Sequence, residues 1–412
     1  MGDRGTGSAR PLLAWAFALA LSFGLIGAAG AAPSPETPLI LISIDGFKPD
    51  YLDRGITPNL SELAAHGVRA TRMLPSFPSI TFPNHYTLVT GLYPDHHGIV
   101  GNTFEDPHLP GAFHMNSKDE AWWDEATPLW ITAERAGVPS ATEFWPGSEV
   151  SFGGMRPGHW EPFDQSKSGD ARVDTVLGWL DLPPAERPRF ITLYFDIVDT
   201  AGHLGGPDSD AVNAAVKTTD ASIGRLLAGL KSRGIDANLV IVSDHGMTAT
   251  APERTILLDD LTDLAAAHVV FTDAVSGIDA PHTPAGDAAA ARLLAPHDHI
   301  QCWRKADIPP RLHYGANPRV PDIVCAAEVG WLVETRASVA RRTRPLLGEH
   351  GYDNAAPEMG ALFLASGPAF RRGLVVQPFA NVDVYPLLTH VLGIQGEPND
   401  GDLAAVKGIL RP

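Results

Sequence analysis

The 412-residue chain contains only two cysteines, Cys302 and Cys325. A metal site built from thiolates needs more cysteines near one another, so thiolate ligation is excluded. In an oxidising compartment one disulfide between the two cysteines is expected, and two free thiols are the alternative.

The chain is also short of basic residues, with 31 Lys and Arg against 48 Asp and Glu and a formal net charge of −17. Nucleic-acid duplexes bind to basic protein faces, so a duplex partner is excluded. A small anionic substrate stays open, because the charge of a bound metal can outweigh the field of distant surface groups. The remaining composition, 44% hydrophobic and 19% charged, is that of an ordinary globular protein.

Long apolar runs are missing beyond the N-terminus, so no other membrane span is expected. The N-terminus has a basic start, an apolar run over residues 12–29 and small residues up to Ala32. This order predicts a secretory signal at 1–32 with cleavage near Ala32, and an uncleaved membrane anchor is the alternative. Residues 33–412 are then expected to form one periplasmic or secreted domain, as a monomer.

Three apolar, β-branched runs predict strands that are buried on both faces, as in a parallel sheet. Each run leads to side chains that can bind a metal. The runs and their followers are Leu39–Ile44 with Asp45, Phe190–Phe195 with Asp199 and His203, and residues 239–243 with Asp244 and His245. The carboxyl ends of parallel strands meet at one rim, so these side chains are expected to converge.

The rest of the pattern predicts an α/β protein whose largely parallel central sheet has helices on both faces. Helices are expected over 58–66, from about Phe82, over 209–233 and over 382–392, a strand over 360–366, and a strand–helix–strand unit over 190–244. The Trp-rich segment 115–160 is expected to be irregular and to cover an edge of the core. Residues 249–347 are expected to form a small inserted α+β subdomain.

Six Asp and His side chains form a candidate metal-binding set without thiolate: Asp45, Asp199, His203, Asp244, His245 and His350. This chemistry suits Zn²⁺ and would accept Mn²⁺ or Co²⁺. Asp199 and His203 are four residues apart, so they could share one face of a helical turn or lie in a tight loop at Gly202.

Thr81 lies near the start of a predicted helix. Its hydroxyl could simply cap the helix, or it could act on a phosphoryl group, because a helix N-terminus offers free N–H groups to an anion.

These residues fall within motifs that resemble the nucleotide pyrophosphatase/phosphodiesterase family of the alkaline phosphatase superfamily, and the resemblance covers 38–402. The motifs, in chain order, are Ile44-Asp-Gly-Phe47, Pro78-Ser-Ile-Thr-Phe-Pro-Asn84, Thr90-Gly-Leu-Tyr-Pro94, Phe144-Trp-Pro-Gly147, Asp199-Thr-Ala-Gly-His203, Ser243-Asp-His-Gly-Met247 and Gly348-Glu-His-Gly-Tyr-Asp-Asn354. One departure is Phe195-Asp-Ile-Val-Asp199, where the family usually has an acidic run. The ligand Asp199 is nevertheless kept.

The resemblance implies an alkaline-phosphatase-like core and two Zn²⁺ per chain. The implied ligands of the two ions are, in turn, Asp45, Thr81, Asp244 and His245, and then Asp199, His203 and His350.

Thr81 is implied as the nucleophile that forms a covalent phospho-threonine. Asn102 is implied as the donor to a non-bridging phosphoryl oxygen, against the alternative of a plain turn residue. Phe82 and Tyr194 match positions that sandwich a nucleobase, against the alternative of core packing.

The implied activity is that of a zinc-dependent type I phosphodiesterase, which hydrolyses nucleoside 5′-phosphodiesters and pyrophosphates to nucleoside 5′-monophosphates. No arginine lies beside the motifs to bind the extra charge of a monoester, so a diester is expected. A sulfatase is excluded, because Thr81-Phe-Pro-Asn-His85 does not fit the Cys/Ser-x-Pro-x-Arg motif. The alternatives are a phospholipid- or choline-phosphate-directed phosphodiesterase of the same family and, from another class, a non-catalytic exported zinc-binding protein.

Overall fold

The structure of the protein is a computed structural model that describes residues 37–412 together with residues 1, 2 and 5. The predicted signal segment and its cleavage site lie outside the described residues. Within the part that is described, no helix combines the length and the apolar character needed to pass through a bilayer.

Most strands in the described range are short. They are β1 (Leu39–Ile44), β2 (Val68–Ala70), β3 (Met73–Leu74), β4 (Phe104–Glu105), β5 (Ala112–Phe113), β6 (Ser140–Glu143), β7 (His159–Glu161), β8 (Phe190–Phe195), β9 (Asn238–Val242), β10 (Thr248–Ala249), β11 (Thr255–Leu257), β12 (His268–Phe271), β13 (Val275–Asp279), β14 (Ile300–Arg304), β15 (Ile323–Ala327), β16 (Leu332–Glu334), β17 (Gly348–Glu349), β18 (Phe363–Ser366), β19 (Leu374–Val376) and β20 (Phe379–Ala380).

The helices differ widely in length. They are α1 (Pro58–His66), α2 (Thr81–Thr90), α3 (Pro94–His97), α4 (Leu129–Arg135), α5 (Gly169–Leu180), α6 (Ile197–Gly205), α7 (Asp210–Ser232), α8 (Leu258–Leu261), α9 (Pro284–Leu293), α10 (Arg336–Arg341), α11 (Val384–Leu392) and α12 (Leu403–Val406). Single 3₁₀ turns lie at Pro49–Arg54, Glu120–Trp122, Leu264–Ala266, Lys305–Asp307, Pro310–Leu312, Pro357–Met359, Asn381–Asp383 and Lys407–Ile409.

The central sheet has the strand order β19-β2-β18-β9-β1-β8-β6-β7. Strand β1 pairs in parallel with both β8 and β9, and β6 pairs in parallel with β8 and β7. Strand β18 runs antiparallel to both of its neighbours, β9 and β2. The largely parallel α/β sheet expected from the sequence is confirmed.

The two faces of the sheet are covered by different helices. Successive residues of β1 point to opposite faces, so Leu39 and Leu41 belong to one apolar cluster and Ile40, Ile42 and Ile44 to another. The first cluster includes side chains of α2, α4 and α11, and the second includes side chains of α1, α5, α6 and α7. This double cover explains why the strands β1, β8 and β9 are buried along their whole length.

The expected strand–helix–strand unit over 190–244 is present, but its two strands are not neighbours. Strands β8 and β9 lie on opposite sides of β1, so the connection through α6 and α7 crosses over the central strand. All three carboxyl ends therefore lie side by side at one rim of the sheet.

The expectation that 115–160 is irregular holds only in part. Most of the segment is loop and turn, but it also contributes α4, strand β6 of the central sheet and the start of β7. Strand β6 is fully buried although three of its four residues, Ser140, Thr142 and Glu143, are polar. It therefore lacks the apolar run that identifies a buried strand in a sequence.

The segment between β10 and β17 contains a separate four-stranded sheet with the order β12-β13-β15-β14. Cys302 on β14 lies directly opposite Cys325 on β15, and the two form a disulfide. An apolar cluster joins this sheet to Tyr352, two residues beyond His350. The inserted α+β part of the fold thus packs against the loop that carries one of the candidate metal ligands.

Candidate active site

The structure brings the six predicted metal-binding side chains to one rim of the central sheet. Asp45 directly follows β1, Asp244 and His245 follow β9, Asp199 and His203 lie on α6 after β8, and His350 directly follows β17.

The first set of ligands, Asp45, Asp244 and His245, is almost completely buried. The Nε2 atom of His245 lies 2.9 Å from Oδ2 of Asp244 and 3.5 Å from Oδ1 of Asp45. The side chains of His245 and Asp244 are 0% exposed, and that of Asp45 is 2% exposed. The Nε2 atom of His245 thus lies close to both carboxylates.

The second set, Asp199, His203 and His350, is more open. Nε2 of His203 lies 3.4 Å from Oδ2 of Asp199 and 3.2 Å from Nε2 of His350. Asp199 and His203 occupy successive turns of α6, so the helical alternative is the correct one. The exposed fractions of Asp199 and His203 are 16% and 25%.

The two sets adjoin each other. The rings of His245 and His350 stack with centroids 3.5 Å apart. Ligand atoms of Asp45, Asp199 and His245 also lie within 4.8 Å of one another, so Asp199 borders both sets.

The three histidines in the ligand sets present the same ring nitrogen to the site. Their Nδ1 atoms lie 2.8–3.0 Å from main-chain carbonyl oxygens, His203 at Gly348, His245 at Gly246 and His350 at Ser79. A carbonyl only accepts a hydrogen bond, so each Nδ1 carries a proton, and in the neutral form of each ring Nε2 keeps its lone pair. This is the tautomer that a metal-binding imidazole needs.

The carboxylates of the site are likewise arranged so that they can bind metal. Oδ1 of Asp45, Oδ1 of Asp199 and Oδ2 of Asp244 are buried and accept no hydrogen bond within the described part of the chain. A buried carboxylate oxygen without a partner is costly, and a metal ion would satisfy all three. The residues therefore fit bound metal.

Without a bound metal, burial and neighbouring charges shift the pKa values of the site residues. Burial raises the pKa of Asp45, and the nearby carboxylates of Asp244 and Asp199 raise it further. Burial also acts to raise the pKa of Asp199, but the charge of His203 outweighs it and lowers the pKa to about 2. Burial, with the charge of His245, lowers the pKa of His350 to about 3. His350 is thus held neutral, as a ligand must be. Burial also acts to lower the pKa of His203 and His245, but Asp199 and Asp244 outweigh it and raise the pKa, so a bound metal ion would displace a proton from these two rings.

Thr81 is the first residue of α2, and Ile80 is the N-cap. Its Oγ1 lies 3.4 Å from Nε2 of His245, at the edge of the first ligand set. The idea of several free N–H groups here needs correction. Pro83 has no N–H and the N–H of Phe82 is bonded to Asn102, so Thr81 alone of the first three helical residues keeps a free N–H among the described residues.

Asn102 is tied to the same helix end. Its Oδ1 accepts a hydrogen bond of 2.9 Å from the N–H of Phe82. The amide NH₂ must then point the other way, and it makes no hydrogen bond within 37–412. Asn102 therefore presents a free donor next to Thr81.

Tyr194 and Phe82 differ in how much of their rings they expose. Tyr194 is 8% exposed, and its hydroxyl donates a hydrogen bond of 2.6 Å to Oδ2 of Asp45. Phe82 is half-buried, and its ring packs edge-on against that of Phe113 with the ring centroids 6.0 Å apart. A third ring, Phe163, is 47% exposed and lies 6.0 Å from the ring of Tyr194.

Sequence reasoning missed three residues at this site: Phe163, His85 and Glu349. Phe163 follows the segment expected to be irregular, which gave no reason to place it here. His85 is four residues after Thr81 on a predicted helix, so helical spacing could have identified it. Glu349 lies 3.6 Å from Nδ1 of His203, and its place beside His350 in the sequence was a usable signal.

A hydroxyl and an amide donor beside Asp and His clusters that can bind metal place the protein among the hydrolases. Residues 39–353 match the family described as type I phosphodiesterase / nucleotide pyrophosphatase. The chain belongs to this family and is an enzyme of the phosphodiesterase and nucleotide pyrophosphatase class, which confirms the resemblance seen in the motifs.

Relatives and solved structures agree with this assignment. The chain is 42% identical over 385 residues to an uncharacterized pyrophosphatase/phosphodiesterase of Schizosaccharomyces pombe, covering 89% of this chain and 79% of the relative. It is 37% identical over 377 residues to the bis(5′-adenosyl)-triphosphatase enpp4 of Xenopus laevis, covering 90% and 81%. A solved structure of murine ectonucleotide pyrophosphatase/phosphodiesterase 5 superposes with a TM-score of 0.86 at 34% identity, covering 91% of this chain and 100% of that one. That neighbour is an inactive threonine-to-alanine variant in complex with AMP.

Proposed function

We propose that the protein is a zinc-dependent type I phosphodiesterase and nucleotide pyrophosphatase. It hydrolyses nucleoside 5′-phosphodiesters and pyrophosphates to nucleoside 5′-monophosphates through a phospho-threonine at Thr81. The observation that carries the proposal is the position of the Thr81 hydroxyl, 3.4 Å from a ligand nitrogen of the buried set. The inactive threonine variant of the murine neighbour is in keeping with a catalytic threonine.

Two Zn²⁺ would be held by the two ligand sets, one by Asp45, Asp244 and His245 and the other by Asp199, His203 and His350. Bound zinc would lower the pKa of a neighbouring hydroxyl or water and offset charge on the phosphoryl oxygens.

The side chains of the protein divide the remaining work. Thr81 supplies the oxygen that attacks phosphorus, and the phosphoryl–leaving-group bond breaks as the Thr81–phosphorus bond forms. The free NH₂ of Asn102 donates to a non-bridging oxygen, where negative charge grows. Water then attacks the phospho-threonine and restores the hydroxyl, and the more exposed set around Asp199 and His203 is where solvent can enter.

The base of the nucleoside would be held by aromatic rings near Thr81 and Tyr194. Phe82 directly follows the nucleophile, and Phe163 offers a half-exposed face close to Tyr194. Little of the Tyr194 ring is accessible to a substrate, and its hydroxyl is already bonded to Asp45. Phe82 and Phe163 are therefore the main candidates for stacking on a base, and Tyr194 borders them. The AMP bound to the murine neighbour and the dinucleotide in the name of the Xenopus relative support a nucleotide substrate.

We also propose that the protein is exported to the periplasm or the exterior and acts there as a monomer. The N-terminal sequence and the Cys302–Cys325 disulfide support export, because such bonds persist in oxidising compartments.

The test compares hydrolysis of thymidine 5′-monophosphate p-nitrophenyl ester, p-nitrophenyl phosphate and p-nitrophenyl phosphorylcholine, each with zinc and after chelation. Zinc-dependent turnover that favours the nucleotide diester is expected. Preference for the monoester would contradict the phosphodiesterase assignment. Preference for the choline ester would move the enzyme to the lipid-directed alternative within the family.

A further inference from the structure

His85 is a buried histidine that the proposed mechanism does not use. It lies on α2, four residues after Thr81, and has no exposed surface. Its Nδ1 lies 2.9 Å from the main-chain oxygen of Thr81 and 3.3 Å from Oδ2 of Asp244. Its Nε2 lies 2.8 Å from Oγ of Ser43, on the central strand β1.

These contacts fix the tautomer of the ring. The oxygen of Thr81 can only accept a hydrogen bond, so Nδ1 carries the proton and donates it to Thr81, while the carboxylate of Asp244 lies 3.3 Å from the same nitrogen. The hydroxyl of Ser43 then donates to the lone pair on Nε2. Both nitrogens of His85 are thus occupied.

His85 could be a metal ligand itself or could act on the candidate ligand Asp244. The hydrogen bonds of its two ring nitrogens distinguish between these roles. Ligand atoms of Asp45, His85 and Asp244 lie within 4.8 Å of one another, so proximity alone would allow His85 to be a ligand. The other histidines of the site turn Nε2 toward the metal-binding groups, whereas the nitrogen of His85 that faces Asp244 is Nδ1, which is already bonded to the main-chain oxygen of Thr81, and its Nε2 is bonded to Ser43. His85 therefore acts on Asp244 and does not replace a ligand.

The ring is also held by its neighbours. Trp145 meets it edge-on at 5.1 Å and donates a hydrogen bond of 2.9 Å from Nε1 to the main-chain oxygen of His85. Tyr194 meets it edge-on from another side at 5.2 Å. These contacts hold the ring in one orientation.

We propose that His85 is a positioning residue that fixes the nucleophile helix relative to the buried ligand set. Nδ1 of His85 is bonded to the main chain of the residue that carries the attacking oxygen and lies 3.3 Å from a carboxylate oxygen of the first set, so a change in this ring disturbs both Thr81 and Asp244. Outer groups of this kind typically change metal affinity or activity 10–100-fold when they are lost. The inference rests on the proposed function, because it assigns Thr81 and Asp244 the roles given there.

The test uses two substitutions that each keep one half of the imidazole. In His85→Asn the amide nitrogen takes the place of Nδ1, and in His85→Gln it takes the place of Nε2. We expect His85→Gln to lower kcat on the thymidine diester about 10–100-fold with little change in KM, and to weaken binding of one zinc equivalent about 10–100-fold in competition with a chelator. His85→Asn should recover most of both losses.

Matched controls come from His97, a buried histidine on α3 whose Nε2 lies 3.0 Å from Oγ1 of Thr87. His97→Asn and His97→Gln should show no comparable difference from each other in kcat or zinc affinity. Should both His85 variants fail to fold, Ser43→Ala removes the donor to Nε2, and a smaller loss of kcat with unchanged KM is expected. Equal kcat and wild-type zinc affinity in the folded Asn and Gln variants, or in Ser43→Ala, would overturn the proposal. An inactive wild type would refute the proposed function instead, and the zinc competition would still test His85.

Discussion

The two ligand sets are built from the same chemistry but differ in exposure. Asp244 and His245 are fully buried, whereas Asp199 and His203 expose 16% and 25% of their side chains. The difference follows from position in the fold. The buried set follows β1 and β9 at the middle of the sheet, and two of the three residues of the open set, Asp199 and His203, lie on α6 at the rim.

The surroundings of the two sets differ at their carboxylates. The carboxylates of the buried set are contacted by Tyr194, His85 and the N–H of Gly46. The histidines of both sets are bonded to main-chain oxygens, and Glu349 lies beside His203 in the open set. We infer that the buried set keeps the nucleophile in place, while the open set admits water and releases the leaving group.

The largest expected effect is on the buried side. Thr81→Ala should lower kcat on the thymidine diester on the order of 10⁴-fold or more, because the attacking oxygen is lost. Zinc content, measured by elemental analysis, should stay near that of the wild type. Thr81→Ser, which keeps a hydroxyl, is the matched control and should retain far more activity. Substantial turnover by the alanine variant would refute the role of Thr81.

Removing one histidine from each set tests the comparison itself. His245→Ala and His203→Ala should each lower kcat about 10²–10⁴-fold and reduce bound zinc by one equivalent, because a lost metal removes several kcal/mol of transition-state stabilisation. His245→Ala should lower Tm more, since it leaves a cavity in the core. A larger fall in Tm for His203→Ala would contradict the assignment of buried and open sets.

We propose that Asn102 donates a hydrogen bond to the phosphoryl group of the substrate. Asn102→Ala should lower kcat on the order of 10²–10³-fold, the usual cost of losing one donor to a developing oxyanion. Asn102→Asp keeps the acceptor for the N–H of Phe82 but replaces the free donor by a negative charge. It should therefore be no more active than the alanine variant, and recovery of activity would show that Asn102 only fixes the helix end.

Substitutions of Phe163 test whether the base of the nucleoside stacks on this ring. Phe163→Ala should lower kcat/KM for the thymidine diester by about 10–100-fold, since base stacking on an aromatic ring contributes about 1–3 kcal/mol. Phe163→Tyr should be close to wild type. Methyl p-nitrophenyl phosphate, which has no base, should show little difference among the three proteins, and an equal loss on both substrates would argue against a stacking role.

The smallest effect on turnover is expected from the disulfide in the inserted sheet. Cys302→Ser should lower Tm, because closing a loop of this length restricts the unfolded chain by about 3 kcal/mol. Turnover should change little, since His350 is held directly by Ser79 rather than by the insert. An unchanged Tm would show that the bond contributes no stability, and a large loss of turnover would link the insert to the open set.

The sequence was most informative where one pattern had one structural solution. Continuous apolar runs such as Leu39–Ile44 could only be buried strands of a parallel sheet, so Asp45 and Asp244 had to share a rim. It failed where burial was achieved by polar residues, as in β6, because Ser140 and Thr142 carry no hydrophobic signal.

Contacts between distant segments were also hidden in the sequence. The exposed face of Phe163 beside Tyr194 depends on how a loop after β7 returns to the rim. The bond from Asn102 to the helix start could not be inferred either, because α2, α3 and the loops after them separate the two residues and the sequence leaves the path of those loops open.

The most direct test of the two-set account is anomalous diffraction at the zinc edge from crystals grown with zinc and AMP. The account predicts two peaks, one bound by Asp45, Asp244 and His245 and the other by Asp199, His203 and His350, with the phosphate beside Thr81. A single peak, or a peak bound by His85, would contradict it.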